Sequence, residues 1–358
     1  MEKPQRIRVG VVYGGRSSEH SVSCVSAGAI MDHLDPEAFD VVAIGITPEG
    51  KWTAGESDPS VLVFRDGQLP TVGDEGPELA LSLNPATRGQ IRNAETGELH
   101  ATVDVIFPAL HGLFGEDGTI QGLLEMAGIP YVGTGVLSSA CGMDKEYMRK
   151  LMAAVGLPIT PEVILRDRTE LTTEEKANLG LPVFVKPARG GSSIGVSKVT
   201  DWADLPAAVA LALEFDNKVI VEAEIVGEEV EVGVLERPDG SVVASVPAML
   251  NGTGDSVEGF YGFETKYLDD VVTATIPAPF DEDMTTALQS MAIDTFQALN
   301  CEGLARVDFF VTDQGPVVNE INTMPGFTPI SMYPQAFAAS GLAYEDLLRT
   351  LVEEALAR

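Results

Sequence analysis

The chain is poor in cysteine and histidine. Its three cysteines, Cys24, Cys141 and Cys301, lie far apart without metal-binding spacing, which argues against both a disulfide framework and a zinc cluster. Its four histidines are equally scattered. These residues are most simply interpreted as buried thiols and isolated imidazoles in a reducing cytoplasm.

Long apolar runs are also missing. No stretch approaches the ~18 consecutive apolar residues of a transmembrane helix. Residues 1–6 lead straight into a strand-like segment and lack the apolar core of a signal peptide. We therefore expect a cytoplasmic protein without a membrane partner.

Basic residues are few, with 23 Lys and Arg against 54 Asp and Glu and a formal net charge of −31. Such a charge repels the phosphates of nucleic acids, so we expect no nucleic-acid partner. A site for a small phosphorylated ligand would have to be locally positive. Each lysine or arginine inside a motif is therefore a stronger candidate for phosphate binding than it would be in a basic chain.

A length of 358 residues predicts two or three domains. In the first third, apolar runs at 7–13, 40–46 and 103–110 alternate with helical segments, which predicts parallel βαβ units. Residues 55–100 are rich in Gly, Pro, Asp and Glu and predict loops with short strands at most. Further on, strands are predicted at 182–187, 219–225, 229–235 and within 304–321, and helices at 144–155, 203–213, 281–299 and 344–356.

The most informative segment is 304–322, in which two β-rich runs flank a short Asp-Gln-Gly turn. Pairing Thr312 with Pro316 across a three-residue turn places Asp308 opposite Glu320. By the same register Arg306 falls opposite Asn322, on the same face, because side chains in a strand alternate.

Directly opposed residues have Cβ atoms only about 5 Å apart, and like charges in such a pair are destabilising. A hard cation such as Mg²⁺ is therefore expected, with Asp308, Glu320 and Asn322 as ligands. Arg306 could then reach a transferred phosphoryl group or a charge developing on the substrate. The alternative is a surface hairpin whose polar face meets water and in which Arg306 neutralises Asp308. The apolar, turn-rich residues 323–328 argue against it.

A glycine-rich loop at 188–196 follows an apolar strand that ends in Lys186. Glycines allow backbone N–H groups to approach an anion, and serines add donors, so the loop is a candidate phosphate site. It is neither a P-loop nor a dinucleotide-binding motif. Lys145 and Lys266 are further candidate phosphate ligands.

The strand at 219–225 could offer backbone groups to a purine if it lies at a sheet edge, and Glu229 could accept hydrogen bonds from ribose hydroxyls. For any single glutamate in so acidic a chain, a solvated surface charge is the better interpretation without further context.

The loop after the first strand holds Glu19, at a position where open α/β sheets bind ligands. Glu19 could hold a substrate ammonium group. The alternative is helix capping, with Ser17 or Ser18 as the cap and Glu19 as a first-turn acid. His111 ends another strand, and taken alone it is more often a packed or capping residue.

Together these motifs resemble the D-alanine–D-alanine ligase family, a branch of the ATP-grasp ligases. The resemblance follows the family's order over nearly the whole chain, in GGRSSEHSVS (14–23), PALHGLFGEDGTIQG (108–122), MDK (143–145), VKPARGGSSIGVSKV (185–199), ETKY (264–267), RVDFF (306–310) and NEINTMPGFTPISMYP (319–334).

The resemblance implies an α/β fold, α+β in its ATP-grasp part, with a three-domain ATP-grasp architecture that begins with an open parallel-sheet domain. The implied domains are an N-terminal substrate-binding domain at 1–142, a central ATP-grasp subdomain at 143–228, and a C-terminal subdomain at 229–358 with the metal and substrate site.

The resemblance also implies residue roles. Glu19 would hold the amino group of the first substrate and, with Ser192 and Tyr267, close a mobile loop at 252–268. Arg306 and a backbone N–H near Gly326 would stabilise the transition state. The remaining roles are ATP binding by Lys145, Lys186, Ser193, Glu222, Glu229 and Lys266, metal binding by Asp308, Glu320 and Asn322, and substrate binding by His111, Ser331 and Met332.

The activity implied is ATP-dependent joining of two D-alanines through an acyl phosphate, with two Mg²⁺ or Mn²⁺ ions, in peptidoglycan precursor synthesis by a homodimer. Lys266-Tyr267 match the family members that use an amine as second nucleophile. The alternatives are another ATP-grasp carboxylate ligase, such as a D-alanine–D-lactate ligase, and a nucleotide-binding module without catalytic activity.

Overall fold

The computed structural model describes residues 6–65, 68–191, 193–252, 273–328 and 330–358. The strands in these ranges form four sheets. None of the helices there is long and apolar enough to cross a membrane.

The first third of the chain forms two sheets and three helices. Its elements are β1 (Ile7–Gly14), α1 (His20–His33), β2 (Phe39–Ile46), β3 (Trp52–Ala54), β4 (Leu79–Leu81), β5 (Gln90–Asn93), β6 (Leu99–Thr102), β7 (Val105–Ala109), α2 (Thr119–Ala127) and α3 (Val136–Met143). β1 runs parallel to both β2 and β7, which confirms the predicted βαβ units. β4, β5 and β6 form a separate small sheet, so the acidic region holds only short strands, as predicted.

The middle of the chain forms an antiparallel sheet with helices beside it. Its elements are α4 (Lys145–Ala154), β8 (Glu162–Leu165), α5 (Thr173–Leu179), β9 (Val183–Pro187), β10 (Ser197–Val199), α6 (Leu205–Leu213) and β11 (Val219–Ala223). The order is β10-β9-β11-β8. β11 is therefore paired on both sides, so the condition under which it could offer backbone groups to a purine, a position at the sheet edge, is not met. An apolar run predicts a strand but does not reveal how many neighbours the strand has.

The last third forms a six-stranded antiparallel sheet. Its elements are β12 (Glu228–Glu236), β13 (Val242–Ala244), β14 (Ala248–Asn251), β15 (Thr273–Thr275), α7 (Glu282–Ala298), β16 (Leu304–Thr312), β17 (Gly315–Asn322), α8 (Met332–Ala339) and α9 (Tyr344–Ala357). The order is β15-β14-β12-β16-β17, with β13 also beside β12.

The alternation of side chains divides the β12-β16-β17 region into an apolar and a polar face. Val232, Val307 and Phe309 pack in one cluster with Leu288 and Phe296 of α7. The residues between them along each strand point the other way. The polar side chains of these strands are thereby collected on the face that α7 does not cover.

The turn between β16 and β17 differs from the prediction. Thr312 pairs with Gly315, not with Pro316, because the turn has two residues instead of three. Taken alone, this one-residue shift would move every residue of β17 to the opposite face.

A β-bulge corrects the shift. Phe309 pairs with Val318 while Asp308 pairs with Glu320, so that Asn319 is the extra residue on β17. The predicted opposition of the two carboxylates is confirmed, although the turn that was expected to produce it is wrong.

The C-terminal helix α9 packs on the N-terminal sheet. Leu347 and Leu351 of α9 share a cluster with Ala27 of α1 and Val105 of β7. The first and last thirds of the chain therefore share one hydrophobic core.

Glu354 on α9 is a buried carboxylate, only 2% exposed. Arg358 Nε lies 2.9 Å from its Oε1, but within the described part of the chain its Oε2 has no hydrogen-bond partner. Burial raises the pKa of Glu354 to about 7; Glu236 and Glu302 add to the rise, and Arg358 opposes it.

Glu354→Gln should make stability less dependent on pH. A carboxyl group whose pKa is raised by folding contributes stability below its ordinary pKa, and this contribution is lost as pH rises through about 7. The free energy of unfolding of the variant, relative to the unmodified protein, should rise by about 2 kcal/mol between pH 5.5 and 8. Urea unfolding at both pH values measures this. Glu353→Gln, at the exposed neighbouring position, is the control, and equal pH dependence for Glu354→Gln and the control would contradict the prediction.

Candidate active site

Two adjoining clefts lie on the polar face of the C-terminal sheet, and Lys145, Glu231 and Glu320 line both of them. Every described residue predicted for the site lines one or both clefts. The first cleft has Lys145, Lys186, Ser193, Glu222, Glu229, Asp308 and Glu320. The second has Glu19, His111, Lys145, Arg306, Glu320, Asn322, Gly326, Ser331 and Met332. Ser192, Lys266 and Tyr267 lie outside the described residues, and so does nearly all of the predicted loop at 252–268.

The hairpin places Arg306 opposite Asn322 and Asp308 opposite Glu320. Arg306 Nε and Nη2 donate to the two oxygens of Asp308 at 2.7 and 2.8 Å. Asn322 Nδ2 donates to Asp308 Oδ2 at 3.0 Å. Arg306 therefore does pair with Asp308. However, their side chains are only 14% and 15% exposed, so the hairpin is not the open surface of the alternative interpretation.

The donor set suits a hard divalent cation. Lys145 Nζ lies 3.1 Å from Glu320 Oε2, so each of the two opposed carboxylates faces a cationic side chain. Carboxylates and an amide oxygen are ligands that Mg²⁺ accepts, with substrate phosphates supplying others. Within the described residues, no three His, Cys, Asp or Glu side chains form a metal-binding group by themselves.

Lys145 is held at the first turn of α4. Its backbone N–H donates to Ala188 O at 3.0 Å, and its Nζ donates to Gly190 O at 3.2 Å. The preceding residue, Asp144, lies 2.5 Å from Lys218 Nζ. These contacts fasten the start of α4 to the glycine-rich loop.

Lys186 belongs to a buried ionic cluster. Its Nζ lies 2.5 Å from Glu222 Oε1, and Arg149 Nη1 lies 2.7 Å from Glu222 Oε2 and 2.6 Å from Glu162 Oε2. Burial lowers the pKa of Lys186, while Glu222 acts to raise it. Sequence analysis missed Arg149, although its position four residues after Lys145 places both on one face of α4.

Glu19 lies at the N-cap position of α1, which begins at His20, and its side chain does not cap the helix. Ser17 Oγ accepts a hydrogen bond from the Glu19 N–H at 3.1 Å. The predicted capping by Ser17 or Ser18, with Glu19 inside the first turn, is wrong because the loop continues further before the helix begins.

The Glu19 carboxylate lies close to two glycines. A Cβ atom at Gly112 would lie 2.6 Å from Glu19 Oε2, and one at Gly191 would lie 3.2 Å from it. Glu19 is thus held between the loop after β7 and the glycine-rich loop. Gly112 has a φ of 73°, in the left-handed region that glycine favours.

His111 connects the N-terminal unit to the loop after β17. Its Nδ1 lies 3.2 Å from Met324 O, and its Nε2 lies 2.9 Å from Ser26 Oγ. Because a carbonyl can only accept, Nδ1 must donate, and Nε2 then accepts from the serine. Burial lowers the pKa of His111, which favours this neutral form.

Glu116 reinforces the same junction and was given no role in the sequence analysis. Its two oxygens accept from Gly112 N–H at 2.7 Å and from Met324 N–H at 3.2 Å. Burial, together with the neighbouring Glu19, raises the pKa of Glu116 to about 8. The peptide groups of Met324 are thus fixed by two N-terminal side chains, a long-range contact that no local pattern predicts.

Two models of known protein families match this chain. The family model described as D-ala D-ala ligase N-terminus matches residues 8–134, and the one described as D-ala D-ala ligase C-terminus matches residues 151–353. The chain belongs to the D-alanine–D-alanine ligase family.

Full-length relatives of this ligase family agree with the assignment. The D-alanine–D-alanine ligase of Corynebacterium efficiens is 67% identical over 99% of this chain and 97% of its own. That of Corynebacterium diphtheriae is 66% identical over 98% of this chain and 96% of its own.

Solved structures confirm the fold class. The VanG D-Ala:D-Ser ligase of Enterococcus faecalis has a TM-score of 0.84 at 35% identity, covering 98% of this chain and 100% of its own. The D-alanine–D-alanine ligase of Coxiella burnetii has a TM-score of 0.83 at 32% identity, covering 98% and 94%. The mixed α/β architecture is therefore the ATP-grasp fold of this family.

An aromatic cluster holds the loop at residues 323–328, which follows β17. Tyr344 OH donates to Phe327 O at 2.6 Å, and the two rings are stacked 6.3 Å apart. Phe107 packs edge-on against Phe327 at 5.6 Å. The loop is thereby tied to both α9 and β7.

Tyr344→Phe should loosen this loop without disturbing the sheet. Loss of one hydrogen bond should accelerate amide hydrogen exchange at residues 323–328 by about fivefold. Hydrogen exchange with mass spectrometry measures the change. Tyr333→Phe is the matched control, because Tyr333 OH donates to Val234 O on β12 at 3.0 Å. Equal exchange rates at 323–328 in the two variants would contradict the prediction.

Proposed function

We propose that this chain is an ATP-dependent ligase that joins two D-alanines into D-alanyl-D-alanine for peptidoglycan precursor synthesis, with ADP and phosphate as further products. The observation that carries the proposal is the convergence, where the two clefts adjoin, of Arg306, the opposed Asp308 and Glu320, and Lys145. The names of the relatives at 66–67% identity support D-alanine as the substrate.

The first step activates a carboxylate, because amide formation from a free carboxylate is uphill in water. The γ-phosphoryl group of ATP passes to the carboxylate of the first D-alanine, giving an acyl phosphate and ADP. Catalysis of such a transfer is mainly positioning and charge stabilisation. We assign phosphate binding to Lys145, Lys186 and Ser193. We assign adenine and ribose contacts to Glu222 and Glu229, which line the same cleft as Lys186.

Asp308, Glu320 and Asn322 are the proposed ligands of two Mg²⁺ or Mn²⁺ ions. When bound, these ions neutralise phosphate charge. Ion pairing holds both carboxylates in place before substrate arrives, with Arg306 on Asp308 and Lys145 on Glu320.

The second step forms the peptide bond. Glu19 holds the ammonium group of the first D-alanine. The amine of the second D-alanine attacks the acyl carbon and loses a proton. Phosphate leaves as the bond between the acyl carbon and the phosphate oxygen breaks. Arg306 and the Gly326 N–H stabilise the oxyanion of the tetrahedral intermediate.

The second D-alanine and the closing loop involve further residues. Ser331, Met332 and His111 line the substrate cleft, and we assign the carboxylate of the second D-alanine to Ser331 and Met332. Ser192, Lys266 and Tyr267 are proposed to close over the site and exclude water from the acyl phosphate.

The organisation of the protein is proposed as follows. The N-terminal domain spans 1–142, the central subdomain 143–228 and the C-terminal subdomain 229–358, a division supported by the grouping of strands into sheets along the chain. We also propose a homodimer that acts in the cytoplasm, where ATP is available.

Product analysis tests the function and its nearest alternatives. Purified protein with ATP and Mg²⁺ should release phosphate with D-alanine and form D-alanyl-D-alanine by mass spectrometry, but should release none with L-alanine. The likeness to a D-Ala:D-Ser ligase makes D-serine a second candidate nucleophile. Faster product formation from D-alanine plus D-serine or D-lactate would overturn the choice of second substrate. Absence of D-alanine-dependent phosphate release would favour a module without catalytic activity.

Gly112→Ala should impair binding of the first D-alanine. The new Cβ would lie 2.6 Å from Glu19 Oε2 and displace the carboxylate that holds the ammonium group. We expect KM for the first D-alanine to rise by about tenfold, the effect of weakening one charged contact. Initial rates of phosphate release measure it.

The matched control is Gly97→Ala. Gly97 has a φ of 74°, close to the 73° of Gly112, but no atom lies within 4 Å of its Cβ position. Both variants therefore carry similar backbone strain of about 1 kcal/mol, and only one meets Glu19. A KM unchanged in both variants would contradict the role given to Glu19.

A further inference from the structure

Three acidic side chains lie in a row across neighbouring strands of the C-terminal sheet. Glu231 on β12 is directly opposite Asp308 on β16, and Asp308 is directly opposite Glu320 on β17. Glu231 is only 5% exposed and lines both clefts. It is not among the metal ligands proposed above.

Arg306 lies between the first two members of this row. Its Nε lies 2.7 Å from Asp308 Oδ1 and 3.1 Å from Glu231 Oε2. Its Nη2 donates to the other oxygen of Asp308 at 2.8 Å. Arg306 therefore occupies both oxygens of a carboxylate that is also a proposed metal ligand.

The two roles of Asp308 compete. For Asp308 to coordinate a divalent cation, Arg306 must give up at least part of its contact with that carboxylate. A guanidinium in so enclosed a place is costly without a carboxylate partner. Glu231 supplies a second partner that the cation does not have to displace.

We propose that Glu231 is a positioning residue that holds Arg306 in place when Asp308 coordinates a divalent cation. This inference rests on the proposed function of the site. Glu231 would keep the guanidinium beside the reacting groups and would weaken its competition for Asp308. Without the charge of Glu231, Arg306 would bind Asp308 more firmly and the cation would bind less tightly.

The test measures Mn²⁺ affinity in the presence of ADP, by electron paramagnetic resonance of the full chain, so that it does not depend on turnover. Glu231→Gln should weaken Mn²⁺ binding by about tenfold. In an Arg306→Met background the same substitution should weaken binding by less than about threefold, because the competitor is gone. Glu228→Gln, at an exposed position on the same strand, should change nothing.

Two results would overturn the inference. Equal weakening in both backgrounds would make Glu231 a ligand in its own right, and no weakening in either would deny it any role at the cation. If Glu231→Gln does not fold, Glu231→Asp is used instead, because its shorter side chain keeps the charge but places it farther from Arg306. Glu231→Asp should likewise weaken Mn²⁺ binding more with Arg306 present than in the Arg306→Met background. Failure of the unmodified protein to bind Mn²⁺ with ADP would overturn the proposed function as well.

Discussion

Electrostatic repulsion among neighbouring carboxylates is the constraint on which the rest of the site depends. Glu231, Asp308 and Glu320 stand on three adjacent strands in direct register. Like charges so placed destabilise a sheet. The sheet tolerates them because cationic side chains approach from two directions: Arg306 from β16 itself and Lys145 from α4.

The contacts around these three carboxylates join distant parts of the chain. Lys145 reaches Glu320 from the start of α4, which is fastened to the glycine-rich loop. On the other side, His111 and Glu116 of the N-terminal unit hold both peptide groups of Met324. In a chain with only 23 Lys and Arg and a net charge of −31, basic side chains at this site are each paired with acidic ones: Lys145 with Glu320, Lys186 with Glu222, and Arg306 with Asp308.

The strands and helices that were predicted from apolar periodicity are present, because such periodicity is a local property, but α2, α3, α5 and α8 were not predicted. The opposition of Asp308 and Glu320 was predicted correctly, although from a three-residue turn that the structure does not have. The two-residue turn and the compensating bulge at Asn319 were missed because neither has a strong local signature. Whether β11 lies at a sheet edge could not be predicted from its own residues, because pairing depends on the whole sheet.

The residues that sequence analysis missed share one property. Arg149, Glu116 and Glu231 each act through partners brought close by the fold. Two of them had a local signal: Arg149 lies four residues after Lys145 on one helix face, and Glu231 lies two positions after Glu229 on the same strand face. Substrate identity was suggested by family likeness alone, because no described contact distinguishes D-alanine from a similar amino acid.

The packing of α9 on α1 and β7 has a consequence for biosynthesis. The N-terminal sheet is complete in sequence by residue 109, yet one of its faces is covered by residues 344–357. At translation rates of about 5–20 residues per second, that face stays uncovered for roughly 12–50 s between synthesis of β7 and synthesis of α9. The nascent chain therefore carries an apolar surface that stays uncovered until its last residues have been made.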